Sequence, residues 1–140
     1  MKHIIITSIG AVGSFIAGLL GGWDSSLITL LIFMAIDYIT GLIVAGVFHK
    51  SKKSESGSLE SRAGFKGLIK KGMVLLYVII AHRLDMELGI DYCRTGVCIA
   101  FMTNELISIV ENGGLMGLPI PKILTNAIDI LNKKGASQNG

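Results

Sequence analysis

Charge is what this chain has least of. Only 16% of its 140 residues are charged, whereas 51% are hydrophobic, and the mean hydropathy is +0.63. A soluble domain usually carries about 25% charged residues. Small domains have much surface for their volume and need polar residues to cover it. This composition therefore excludes an ordinary water-soluble globule and points to lipid as the solvent. One domain is expected at this length. Cysteine is scarce too: Cys93 and Cys98 match no zinc or redox spacing and read as small apolar residues on a helix. HxxxH and HExxH pairs, a Gly-rich phosphate loop and a catalytic Ser or Cys motif are all missing. Enzyme activity, a metal and a cofactor are accordingly not expected. The net charge of +3 and pI of about 9.0 do not imply nucleic acid. The basic residues cluster beside hydrophobic runs, a pattern that membrane topology explains.

What is present is a series of apolar runs. Residues 4–22 carry no charge, enough to cross a hydrocarbon core of about 30 Å as a helix. Met1-Lys2 gives a minimal basic start, but the run is long for a signal peptide and lacks a small-x-small cleavage site, so a retained helix is expected. Trp23 at its border reads as an interfacial anchor. Residues 27–48 form a second span with one charge, Asp37, near the middle. Residues 72–89 are a poorer third span, in which His82, Arg83, Asp85 and Glu87 follow a short apolar stretch. Residues 95–110 are a fourth, interrupted by Asn104 and Glu105. The expected fold class is all-α: an integral membrane protein of three to four transmembrane helices plus a C-terminal amphipathic helix.

Between the second and third runs lies the basic segment 49–71, holding Lys50, Lys52, Lys53, Arg62, Lys66, Lys70 and Lys71. Its Ser/Lys/Glu-rich first half reads as a mobile loop, and its charge places it in the cytoplasm. Gly113-Gly114 and Pro119-x-Pro121 are expected to break any helix. After them Ile120, Ile123, Leu124, Ala127, Ile128 and Leu131 recur at helical spacing, predicting an amphipathic helix over 119–133. Lys122, Lys133 and Lys134 would hold that helix at the cytoplasmic interface. Residues 135–140 read as a flexible tail. Four spans put both termini in the cytoplasm and leave only Arg83 and Arg94 outside, among Asp85, Glu87 and Asp91. A three-span version fits the sequence as well.

Several residues stand out against this apolar background. Gly10, Ser14, Gly18 and Gly22 are four apart and predict a small-residue face along the first helix, where a second backbone can approach closely. Whether that partner is another copy or the same chain stays open. Asp37 shares its face with Gly41 and Ala45, a second candidate packing or oligomerisation surface. A charge at the bilayer centre costs about 2.5–3.5 kcal/mol on insertion scales, so Asp37 must be neutralised, paired or wet. A structural hydrogen bond and a role in an aqueous lesion are both open for it. Tyr38 and Thr40 are placed to add interhelical hydrogen bonds. His82 and Asp85 share a helix face, and a salt-bridged helix end is the simplest reading. Asn104, Glu105, Ser108, Glu111 and Asn112 make the fourth run polar on one side. Glu105 and Glu111 have no nearby nucleophile or second base. Asp37, His82, Asp85, Asn104 and Glu105 are expected to face protein or water, not lipid.

Taken in order, these pieces resemble the phage lysis and toxin-secretion holin family. Asp37-Tyr38-Ile39-Thr40-Gly41 comes first, then Ser61-Arg62-Ala63-Gly64-Phe65-Lys66-Gly67 with Lys70-Lys71, then Ala81-His82 and Asp85. Asn104 to Asn112 and Gly117-x-Pro119-x-Pro121 complete the series, so the similarity covers residues 27–131. The resemblance implies a homo-oligomer in the bacterial cytoplasmic membrane that forms lesions and lets an endolysin or a large toxin pass. It implies no cofactor and carries over no catalytic residue. The Ser/Lys/Glu-rich insert before Ser61 departs from the simplest members. A small ion channel or transporter subunit using Asp37 and Glu105 as relay carboxylates is one alternative. A membrane scaffold whose basic loop binds a partner or anionic lipid is another.

Overall fold

A computed structural model describes residues 1–139, with side chains through residue 137. It is all-helical: α1 (Lys2–Leu19), α2 (Ser25–Gly46), α3 (Ser61–Leu88), α4 (Cys93–Leu115) and α5 (Lys122–Asn139). Three of these, α1, α2 and α4, are long and apolar enough to cross a membrane. The chain is thus a helical membrane protein, as its composition demands. The outward surface fits a lipid solvent: Ile28, Ile32, Ile36, Ile39 and Ile43 form an exposed isoleucine stripe along α2.

The core lies among α2, α3 and α4. Leu27, Leu30 and Met34 meet Val74 and Val78, and both sets pack on Cys98 and Met102. Cys98 is fully buried there and Cys93 half-buried, both as free thiols. Tyr77 of α3 stacks on Phe101 of α4, with ring centroids 5.9 Å apart. α4 is the central helix, packed against α2, α3 and α5.

α1 stands apart from this bundle. Only Ala17 along its length is buried, while Ile4, Ile5, Ile6, Ile9, Val12 and Phe15 are exposed. It ends in a Schellman turn: the Gly21 N–H donates to the Gly18 carbonyl and the Gly22 N–H to Ala17. Gly21 and Gly22 both have positive φ, 87° and 99°, a conformation that side chains disfavour. Gly22 therefore lies past the helix end. The small-residue face expected over four positions is reduced to Gly10, Ser14 and Gly18 on the helix itself.

Other boundaries also differ from those read in the sequence. The segment 49–71 is not loop throughout, because α3 already starts at Ser61 and runs 28 residues. At 1.5 Å per residue that is about 42 Å, longer than a hydrocarbon core of about 30 Å. The remaining connection is folded by its own hydrogen bonds, Ser51 N–H to the Gly57 carbonyl (3.0 Å) and the Ser56 hydroxyl to Glu60 Oε1 (2.8 Å). Gly113-Gly114 does not break α4, which continues to Leu115. The turn falls instead at Gly117, whose φ is 91°.

The largest difference is in the last helix. α5 runs past the expected end at 133 and takes in residues 135–139, which had read as tail; Gly140 lies outside the described residues. Nor does it lie across the end of the bundle. Leu131 packs on the core cluster, and a Cβ on Gly135 would sit 3.5 Å from Ile99 in the first third of α4. α5 thus doubles back antiparallel along α4, because Leu131 and Gly135 make an apolar, close-fitting seam for it.

Candidate functional site

The centre of the bundle is tied by charge. Lys71 of α3 reaches between α2 and α4, and its Nζ donates to Asp37 Oδ2 at 2.8 Å and Glu105 Oε2 at 2.7 Å. Both carboxylates are buried, Asp37 at 4% and Glu105 at 6% exposure. Asn112, also buried, closes the far side. Its Nδ2 donates to Thr40 Oγ1 (2.8 Å), Asp37 Oδ1 (3.2 Å) and the Asp37 carbonyl (3.3 Å). Asp37 is thus held from two sides, and three helices meet in one network. Two carboxylates share one ammonium, and the hydrogen bonds from Asn112 support the remaining negative charge.

Small residues let this network assemble. Gly41 is 3.9 Å from Asn112 Nδ2, measured at a built Cβ, and Ala45 is buried one turn on. Tyr38 OH donates to the Gly64 carbonyl at 3.3 Å, and Gly64 and Gly67 give its ring room to lie on α3. Thr40 donates back to the Ile36 carbonyl (2.8 Å) while accepting from Asn112. Beside the network lies an open cavity of about 670 Å³ between α2, α3 and α4, lined on one side by the 49–60 connection. Asn104, Ser108 and Glu111 line it from α4, and Lys53, Lys66 and Lys70 from its basic side.

A second polar cluster closes the opposite end of the bundle. Arg94 at the start of α4 reaches the α1–α2 turn. Its Nη1 pairs with Asp24 Oδ2 at 2.6 Å, its Nη2 donates to the Gly22 carbonyl at 3.0 Å, and its Nε donates to the Leu20 carbonyl. These are the carbonyls of the α1 C-cap and of the turn that follows it, which the helix itself leaves without partners. Asp24 also caps α2, accepting from Leu27 N–H at 2.9 Å. The Arg94 guanidinium holds the Asp24 carboxyl below its ordinary 3.8. Asp85 accepts the N–H groups of Cys93 (2.8 Å) and Arg94 (3.0 Å) and so caps α4 from α3. The expected His82–Asp85 grouping is resolved differently: His82 lies against Gly21, and Arg83 pairs weakly with Glu87 at 3.6 Å on the surface.

Among the described residues no buried side-chain polar atom lacks a partner, and no group of acidic, His or Cys residues could hold a metal. The arrangement is a set of interhelical clamps. Gly10 and Gly18 touch nothing within the chain, and Ser14 is exposed. The sequence reading missed Lys71 and Arg94 as partners. Both had been counted as topology signals in flanking segments. The unpaired Asp37 was the clue, since a mid-helix carboxylate requires a cation from some neighbouring helix.

Residues 14–133 match the model of the bacteriophage holin family. The chain belongs to that family. A probable holin of Bacillus phage phi105 is 30% identical over 73% of this chain and 70% of its own length. An uncharacterised protein of Clostridium perfringens strain 13 is 36% identical over 94% of both chains, and one of Halalkalibacterium halodurans is 37% identical over 94% of this chain and 96% of its own. No solved structure matches. The holin family is not an enzyme family.

Proposed function

We propose that this holin-family chain assembles with copies of itself in a bacterial cytoplasmic membrane and opens lesions that release an endolysin or a large toxin. The observation that carries the reading, beyond family membership, is the state of α1. The helices α2 to α5 pack without it, and its apolar length is left uncovered by its own chain. Lipid supplies no hydrophobic drive for association, so contact between copies relies on close backbone approach. Gly10, Ser14 and Gly18 offer that approach, with open space beside both glycines. Nothing in this reading calls for nucleic acid.

A relay through Asp37 and Glu105 is disfavoured, because both are committed to Lys71. The test is release of a co-expressed fluorescent protein on induction in a bacterial host, with potassium efflux followed in parallel. Abrupt release of folded protein is expected. Potassium loss with the protein retained would support a small ion path instead, and no leak of either kind a scaffold. Gly10→Leu with Gly18→Leu is expected to abolish release while leaving membrane insertion intact.

A further inference from the structure

α5 has three distinct sides. Ala127, Ile128, Leu131 and Gly135 turn toward the bundle, and Gly135 is buried against α4. Ile123 and Ile130 are exposed on a flank that ends in Lys134. Lys122, Asn126, Asp129 and Lys133 form a polar stripe at helical spacing, joined by Thr125 and Asn132, and all are exposed. The antiparallel course fixes the depth of that stripe. Gly135 sits beside Ile99, and equal rise per residue sets Asp129 about level with Glu105, near the middle of α4.

A helix beside a membrane-crossing α4 for most of its length is itself within the bilayer. There a stripe holding Asp129 and Lys133 cannot face hydrocarbon, whereas Ile123 and Ile130 can. We infer that α5 crosses the bilayer beside α4 and that its stripe of Asn126, Asp129 and Lys133 lines the water-filled lesion formed by copies of this chain. This rests on the lesion reading above and adds the element that forms its wall. The bundle's inner charges are paired and turned inward. The α5 stripe is a polar surface that points away from the bundle at membrane depth. With the basic α2–α3 connection in the cytoplasm, α5 starts on the cytoplasmic side and runs toward the outer one, with Lys133 about 6 Å and Ser137 about 12 Å beyond Asp129. Its C-terminal end then lies outside, opposite to the side read from the sequence.

The experiment uses the full chain with Cys93→Ser and Cys98→Ala and one new cysteine at a time, labelled with a membrane-impermeant maleimide in intact cells before any release. Ser137→Cys is expected to label from outside, Lys122→Cys only after the cells are opened, and Leu131→Cys in neither case. Protection of Ser137→Cys until the cells are opened would overturn the crossing. For the lining, Asn126→Leu with Asp129→Leu is expected to delay reporter release several-fold, while Asp129→Lys, which keeps the stripe wettable, releases normally. Ser137→Cys labelling in the same variants reports that the helix is inserted. Unchanged release from the Leu variant would overturn the lining. No release from the unsubstituted chain would overturn the lesion reading itself, and the labelling pattern would still decide the crossing.

Discussion

The bundle is tied at two levels, and the two ties differ in what they replace. At mid-depth Lys71, Asp37, Glu105 and Asn112 join α2, α3 and α4 by side chains alone. At the end, Arg94 binds backbone carbonyls and an Asp24 side chain that is half exposed. At the end the Asp24 carboxylate still meets water when its partner is lost, whereas both carboxylates of the middle tie are buried. Cohesion of the three central helices therefore rests on the middle tie, and the exit of α1 on the end tie.

Breaking the middle tie has the largest expected effect. Lys71→Met leaves two buried carboxylates without their cation, and removal of one partner from a buried ion cluster costs about 3–5 kcal/mol. The expected outcome is a steep fall in the thermal midpoint of the detergent-solubilised protein. Adding Asp37→Asn and Glu105→Gln to the same chain is expected to restore much of it. A midpoint within one or two degrees of the parent for Lys71→Met alone would show that water reaches this site, and the contrast between the two levels would fail.

Arg94→Leu comes next. It leaves the Leu20 and Gly22 carbonyls unpartnered, at about 1–3 kcal/mol for a buried one. Because the end is near water, a smaller loss than for Lys71→Met is expected, with α2–α4 still joined. Proteolysis should then release α1 at the 20–24 turn while the rest stays resistant. Gly21→Ala tests the same turn from the other side. A left-handed backbone costs a side chain about 1–2 kcal/mol, and the new Cβ would meet Arg94 Nε at 2.5 Å and His82 Nδ1 at 2.8 Å. The same α1 release is expected, and Gly22→Ala, with nothing near its Cβ, should be milder.

How much of this was legible in the sequence follows from which signals are local. The two first spans were legible because an uncharged run of that length has few other fates, and Asp37's need for a partner followed from its depth alone. Its partner was not, since Lys71 is 34 positions away and sits at the edge of a basic segment whose charge reads as topology. α3 was cut short for the same reason: Arg62, Lys66 and Lys70 are good helix formers, but their charge hid the helix. Gly113-Gly114 misled because glycine weakens a helix by only about 1 kcal/mol each, less than the packing of α4 supplies. The course of α5 was illegible because its amphipathic pattern fits an interface and a seam on α4 equally well.

The smallest effect separates charge from geometry at the end tie. Asp24 caps α2 whether or not it is charged, and Asn caps about as well as Asp, so Asp24→Asn keeps the cap and removes only the ion pair. The Asp24 carboxyl is held below its ordinary 3.8 by Arg94. A depressed pKa contributes stability that is present above 3.8 and lost as pH falls through the lower folded value. The difference in thermal midpoint between the parent and Asp24→Asn should accordingly be small and constant at neutral pH. It should shrink to nothing as the pH drops well below 3.8. Comparing the two chains cancels every other titrating group. A difference that persists unchanged into acid would mean that Asp24 acts by shape, and that the end tie is made by the Leu20 and Gly22 carbonyls alone.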